Sequence, residues 1–173
     1  MKLGKILLGQ EEIARRVREL AGEIEADYRG LEPHLVCILK GALFFTVDLM
    51  RELRLPVTLG FLSASSYGDR TTSSGEVRLE LSALGEVRGR HVLLVEDIVD
   101  TGLTLLKIKD ALLEMHPATL KVCALFEKKA RRSHPLRLDY LGFEMPDRFI
   151  VGYGLDFAER WRELPCIRAL KED

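Results

Sequence analysis

Residues 92–104 read VLLVEDIVDTGLT. The apolar run Val92, Leu93, Leu94 and Val95 predicts a buried strand, and the segment 105–115 predicts a helix. Between them stand acids at Glu96, Asp97 and Asp100, then Thr101, Gly102, Leu103 and Thr104. A buried strand, a turn of acids, hydroxyls and glycine, and then a helix is the layout of a phosphate site. Amide N–H groups at the helix start point at the ligand, and the helix dipole favours an anion. Gly102 lets the backbone approach without a side chain in the way. Thr101 and Thr104 add hydroxyl donors. Adjacent carboxylates would repel phosphate, so Glu96 and Asp97 are expected to face hydroxyls such as those of a ribose, or a metal ion that carries phosphate. The spacing is neither that of a Walker loop nor G-x-G-x-x-G.

Working outward, Ile13, Val17, Leu20 and Ile24 fall at helical spacing and predict a helix over 10–28. The run 35–39 predicts a buried strand, broken by Lys40-Gly41-Ala42 and followed by a helix over 43–53. Further strands are predicted over 57–64, 77–81, 119–126 and 149–151, with a polar, Ser- and Thr-rich loop over 65–76. Strands alternating with helices imply an α/β fold with a mainly parallel sheet covered on both faces. Ligands bind such sheets at the carboxyl ends of strands. Lys40-Gly41, Ser66-Tyr67, the run 96–104 and Lys128 onward all fall there.

The chain has 173 residues, 47% of them hydrophobic, which suits one domain with a packed core. Its 26 basic and 27 acidic residues give a net charge of -1, so nothing in the balance calls for nucleic acid or a membrane as partner. Cys37, Cys123 and Cys166 are widely spaced in apolar contexts and predict buried free thiols in a reducing compartment. The N-terminal apolar patch at 6–8 turns acidic at once and does not read as a signal peptide. No stretch approaches a membrane-spanning length. A cytoplasmic location is expected. The four histidines show no ligand spacing.

Other segments carry chemistry with a plainer reading beside it. Lys40-Gly41 can present backbone N–H groups and one cation to a pyrophosphate, or form an ordinary strand-to-helix turn. Residues 126–133, FEKKARRS, end a strand in a basic cluster, which also suits a solvated face. In 143–157, FEMPDRFIVGYGLDF, Phe149 can stack on a flat heterocycle or sit in the core, backbone groups of Ile150 can read an edge, and Asp156 can hold a divalent metal. Arg162 suits either bidentate phosphate contact or a surface ion pair.

The run 92–104 resembles the phosphoribosyl-pyrophosphate (PRPP) loop of type I phosphoribosyltransferases. Leu39-Lys40-Gly41 is similar to the pyrophosphate loop of the 6-oxopurine branch, and 143–157 resembles its segment P-D-x-F-[VI]-V-G-Y-x-L-D. The resemblance to the bacterial hypoxanthine-guanine phosphoribosyltransferases covers about residues 6–170. It implies one domain over 1–173: a twisted, mainly parallel sheet flanked by helices, with a small hood from the N-terminal segment and roughly 140–173. It implies transfer of the 5-phosphoribosyl group from PRPP to N9 of hypoxanthine or guanine, with xanthine also open.

Site roles follow from the same resemblance. Glu96 and Asp97 hold the ribose hydroxyls, and Asp100, Thr101, Gly102, Leu103 and Thr104 hold the 5'-phosphate. Asp100 sits near purine N7 as general base, a task for which its surroundings matter. Lys40, Gly41 and Arg162 bind pyrophosphate, and Glu96, Asp97 and Asp156 hold Mg2+. Ser66 and Tyr67 belong to a lid. Lys128, or the adjacent Lys129, reads the purine O6: an ammonium has donors only, so it selects a carbonyl over an amino group. Phe149 stacks on the base and Ile150 reads its edge. Partners are then small molecules, with self-association to a homodimer or homotetramer. Leu103 and Ala42 depart from the family, which often has lysine and glycine there. The sequence does not decide whether the Lys40–Gly41 peptide is cis. Two alternatives share the PRPP loop: a uracil phosphoribosyltransferase that doubles as an RNA-binding regulator, and a non-catalytic PRPP sensor.

Overall fold

The computed structural model describes residues 1–66 and 77–171. Tyr67 of the expected lid, and the side chain of Ser66, lie outside the described residues. The elements in chain order are β1 (Lys2–Leu8), α1 (Gln10–Asp27), β2 (Pro33–Leu39), α2 (Leu43–Glu52), β3 (Thr58–Ser66), β4 (Val77–Glu80), β5 (His91–Val99), α3 (Leu103–Leu113), β6 (Thr119–Glu127), β7 (Tyr140–Glu144), β8 (Ile150–Val151) and β9 (Ile167–Lys171). A single 3-10 turn, Lys129–Arg131, follows β6.

The main sheet has six strands in the order β4-β3-β2-β5-β6-β7. Every pairing from β3 to β7 is parallel, and β4 joins antiparallel to β3 at the edge. Side chains alternate across a strand, and here the alternation builds two cores. Leu35, Leu93, Val95, Cys123 and Leu125 pack with α1 and α2 on one face. Val36, Ile38, Val92, Leu94, Val122 and Ala124 pack with Leu105, Ile108 and Leu112 of α3 on the other. The expected mainly parallel sheet with helices on both faces is therefore present.

α1 turns Ile13, Val17, Leu20, Ala21 and Ile24 inward. The Glu12 carboxylate accepts the Gly9 N–H at 2.9 Å, and Glu11 and Glu12 place negative charge at the positive end of the helix. Arg16 donates to the carbonyls of Leu141 and Gly142 at 2.8 and 3.1 Å, tying α1 to the far edge of the sheet.

The strand order fixes where a ligand goes. The helix after β2 covers one face and the helix after β5 covers the other, so the chain winds in opposite senses from the β2/β5 pair. A crevice opens at the carboxyl ends of such a pair. Above it sits a second sheet of three antiparallel strands, β1-β9-β8, drawn from both ends of the chain.

Several expectations are corrected. β5 continues to Val99: Glu96, Ile98 and Val99 pair with Ala124, Phe126 and Glu127 of β6. Glu96 and Asp97 are thus strand residues, not turn residues, because β-branched Ile98 and Val99 extend the ladder past them. β3 likewise runs through Ser66, beyond the predicted end at 64, and α3 spans Leu103–Leu113 rather than 105–115. Tyr140–Glu144, assigned to the hood at roughly 140–173, pairs with β6 as the edge of the main sheet. β1, β7 and β9 were not predicted as strands.

Candidate active site

The end of β5 brings two carboxylates into the crevice. Glu96 is buried and Asp97 half-buried. Burial pushes the Glu96 carboxyl well above its usual range, and the neighbouring Asp97 charge pushes it further. Burial also raises Asp97, against an opposing pull from the Arg162 charge. Their hydrogen bonds come from adjacent amides: Asp97 N–H to Glu96 Oε1 at 3.1 Å, and Ile98 N–H to Asp97 Oδ1 at 2.6 Å. Such a pair is suited to hydroxyl donors or a cation, as expected of a ribose and metal site.

The loop after β5 has the geometry expected of a phosphate cradle. Gly102 caps α3 at φ +87, with no side-chain cap on the helix. That backbone favours glycine; Leu103 N–H reaches Thr101 Oγ1 at 3.4 Å, and the other first-turn amides are left to a ligand. A cavity of about 110 Å³ lies here, lined by Glu96, Asp100, Thr101, Gly102 and Thr104 among others. Leu103 is not among the lining residues. The loop is braced from behind: Ser133 and His134 N–H both donate to the Thr101 carbonyl at 3.2 Å, and Lys128 N–H donates to Val99 O at 2.9 Å.

A second cavity of about 270 Å³ adjoins it, lined by Asp97, Ile98, Asp100, Lys128, Phe149, Ile150, Leu155 and Asp156. The two share Asp100. Lys128 is 8% exposed, with Nζ 6.0 Å from the Phe149 ring centroid, whereas Lys129 is exposed and pairs with Glu144 at 3.2 Å. The geometry thus selects Lys128 over Lys129 as the cavity ammonium. Phe149 is 49% exposed and leans edge-on against Phe157. It is therefore not a core aromatic, and it presents open ring surface to a planar ligand.

The loop after β2 joins them. The cis peptide is Leu39–Lys40, one bond before the one left open above. Gly41 lies flat against Asp97: a β-carbon there would overlap the Asp97 carboxylate. Gly154, at φ +99, lies equally close to the Gly41 carbonyl. Lys40 Nζ pairs with Glu159 at 2.9 Å. Arg162 pairs with Asp156 at 2.8 Å and Glu159 at 3.4 Å, and donates to the Gly154 carbonyl at 2.7 Å. The expected pyrophosphate groups Lys40, Gly41 and Arg162 thus gather beside the larger of these two cavities without lining it.

Hard carboxylate oxygens at Glu96, Asp97 and Asp156 suit Mg2+. No group of three or more His, Cys, Asp or Glu is placed to hold a metal among the described residues. That donor set fits a Mg2+ held by one or two carboxylates and completed by substrate phosphates and water. Sequence reading missed Glu159, Gly154, Arg131 and Asp147. Arg131 Nη1 pairs with Asp100 Oδ2 at 3.0 Å, and its Nε with Asp147 Oδ1 at 2.8 Å. The signal for Arg131 was its place in the basic run 126–133.

Residues 5–158 match the family model described as the phosphoribosyl transferase domain. The hypoxanthine-guanine phosphoribosyltransferase of Aquifex aeolicus is 47% identical over 169 residues, 97% of this chain and 95% of that protein. The enzyme of the same name from Bacillus subtilis is 41% identical over 167 residues, 96% and 93% respectively. Among solved structures, a Bacillus anthracis hypoxanthine-guanine phosphoribosyltransferase with a HEPES molecule in the active site superposes with a TM-score of 0.93 at 42% identity, covering 98% of this chain and all of that one. Among the described residues, no helix is long and apolar enough to cross a membrane.

Proposed function

The chain belongs to the phosphoribosyl transferase family, and from that membership we propose how its site acts on a purine. The protein is a purine-salvage transferase that moves the 5-phosphoribosyl group of PRPP to N9 of hypoxanthine or guanine and releases pyrophosphate. The observation that carries the residue roles is the position of Asp100 between a phosphate cradle and a cavity holding one buried ammonium and one exposed aromatic ring.

The base stacks on Phe149, and Lys128 donates to its 6-oxo group. The amides of 101–104 and the threonine hydroxyls fix the 5'-phosphate. Glu96 and Asp97 hold the ribose hydroxyls. The N9–C1' bond forms as the bond from C1' to the pyrophosphate oxygen breaks, and Asp100 takes the proton from purine N7. Lys40 and Arg162 receive the leaving pyrophosphate, exchanging Glu159 and Asp156 for its oxygens. The family generally uses Mg2+ with PRPP. One or two of the carboxylates Glu96, Asp97 and Asp156 would hold it, and when bound it would neutralise charge on the leaving group. Ser66 and Tyr67 are assigned to a lid that keeps water from the sugar centre. We further place the enzyme in the cytoplasm as a homodimer or homotetramer, with small-molecule substrates and no nucleic-acid or membrane partner.

The test is a steady-state assay with PRPP and Mg2+, offering hypoxanthine, guanine, xanthine, adenine and uracil in parallel. Turnover of hypoxanthine or guanine with adenine and uracil silent is expected. Turnover of uracil alone would move the protein to the regulator branch. Silence with every base despite PRPP binding would make it a sensor.

A further inference from the structure

The two oxygens of Asp100 stand in different surroundings. Its Oδ1 is buried with no hydrogen-bond partner among the described residues, and its Oδ2 accepts from Arg131 Nη1 at 3.0 Å. The same guanidinium reaches Asp147 through Nε at 2.8 Å. Asp147 lies two residues before Phe149, at the entry to β8. Arg131 closes the 3-10 turn Lys129–Arg131, which the Lys128, Ser133 and His134 amides lock onto the carbonyls of Val99 and Thr101. The arginine is therefore mounted on the backbone that carries the phosphate loop, and it grips both the carboxylate of that loop and the segment that carries the stacking ring.

We infer that Arg131 is a positioning residue for proton transfer. It fixes the rotation of the Asp100 carboxylate and holds it in register with Phe149. A carboxylate oxygen has two lone pairs, so a single N–H from Arg131 leaves one on Oδ2 for the purine proton. A planar guanidinium can span two carboxylates at fixed angles, which a lysine ammonium cannot do in the same way. Both ion pairs are about half exposed, so their contribution to folding is small. The effect sought is on geometry: a carboxylate free to rotate spends less time aligned with N7. This rests on reading Asp100 as the general base, and the experiment separates the two.

Arg131→Ala, Arg131→Lys, Asp100→Asn and the double variant Arg131→Ala/Asp100→Asn are assayed with hypoxanthine and PRPP, and their melting temperatures are compared. Arg131→Ala is expected to lower kcat about ten-fold while the KM for PRPP stays within about two-fold. Arg131→Lys, which can reach Asp100 without bridging to Asp147, is expected to recover part of kcat. In the Asp100→Asn background the arginine change is expected to cost almost nothing further, since the two act as a unit. Unchanged or raised kcat in Arg131→Ala, or full additivity in the double variant, would overturn the inference. A near-normal kcat in Asp100→Asn would overturn the base assignment instead. Should Arg131→Ala melt early, Asp147→Asn tests the same link without touching the arginine: it is expected to lower kcat, and an unchanged kcat counts against the link.

Discussion

The α-carbon of Gly41 rests against the carboxylate of Asp97, with no room between them for a methyl group. The carbonyl of the same glycine rests against Gly154. The loop after β2, the strand β5 and the segment after β8 therefore meet at one point. Gly41→Ala must displace either the pyrophosphate loop or Asp97. The expected result is a PRPP Kd raised at least about ten-fold with little change in melting temperature, since the clash is local. Titration calorimetry with PRPP and Mg2+ reads this directly, and wild-type affinity would refute it.

Asp100→Asn keeps the shape of the cradle and removes the proton acceptor. General-base loss typically costs on the order of 10²–10⁴-fold in rate. kcat is expected to fall by that order while PRPP binding changes little. A variant of near-normal kcat would remove Asp100 from the mechanism.

Lys128 is the buried ammonium of the base cavity. Lys128→Gln replaces a donor-only group with an amide that can also accept. Loss of one charged hydrogen bond is worth roughly 1.5–3 kcal/mol. We expect kcat/KM for hypoxanthine to fall by that amount, and the hypoxanthine-to-adenine ratio to narrow. An unchanged ratio would assign base selection elsewhere.

Glu96 titrates well above its usual range in the folded protein because it is buried beside Asp97. Between the ordinary carboxylate range and that raised value, the folded state holds more protons than the unfolded one. Stability of the ligand-free protein therefore falls as pH rises through that window. Glu96→Gln is expected to flatten the slope and raise the melting temperature near neutral pH, while weakening PRPP binding. Thermal melts across pH in chelator check the first part, and an unchanged slope would count against it.

Burial raises the Cys37 thiol to about 11 and moves Cys123 upward as well, so neither forms thiolate at neutral pH. Cys166 is half-buried. Iodoacetamide at neutral pH is expected to label Cys166 first in the native protein, and Cys37 and Cys123 only after unfolding. Native labelling of Cys37 at a comparable rate would contradict the burial.

The alternating strands and helices were legible because Val92–Val95 and Val122–Phe126 are continuous apolar runs, the mark of strands covered on both faces. Tyr140–Glu144 and Ile167–Lys171 were not: the first is interrupted by Gly142 and the second alternates apolar with basic residues, each over five positions, too few for a pattern to stand out. The acids Glu96 and Asp97 looked like a turn by composition, yet the β6 ladder holds them extended. That most of residues 96–104 would line one cavity could be read because they are contiguous. The link from Asp100 through Arg131 to Asp147 could not, since it spans 47 positions and depends on a 3-10 turn that no local pattern announces.

The hood strand that follows Phe149 is held in place by β9, and β9 by β1. The exposed ring of Phe149 thus hangs on a ladder whose outermost rung is residues 2–8. A fused tag that pulls on that rung, or a protease that trims it, would act on a backbone hydrogen-bonded through β9 to the segment of Phe149. The outer strand is thus continuous, through two ladders, with the side of the crevice that carries Phe149.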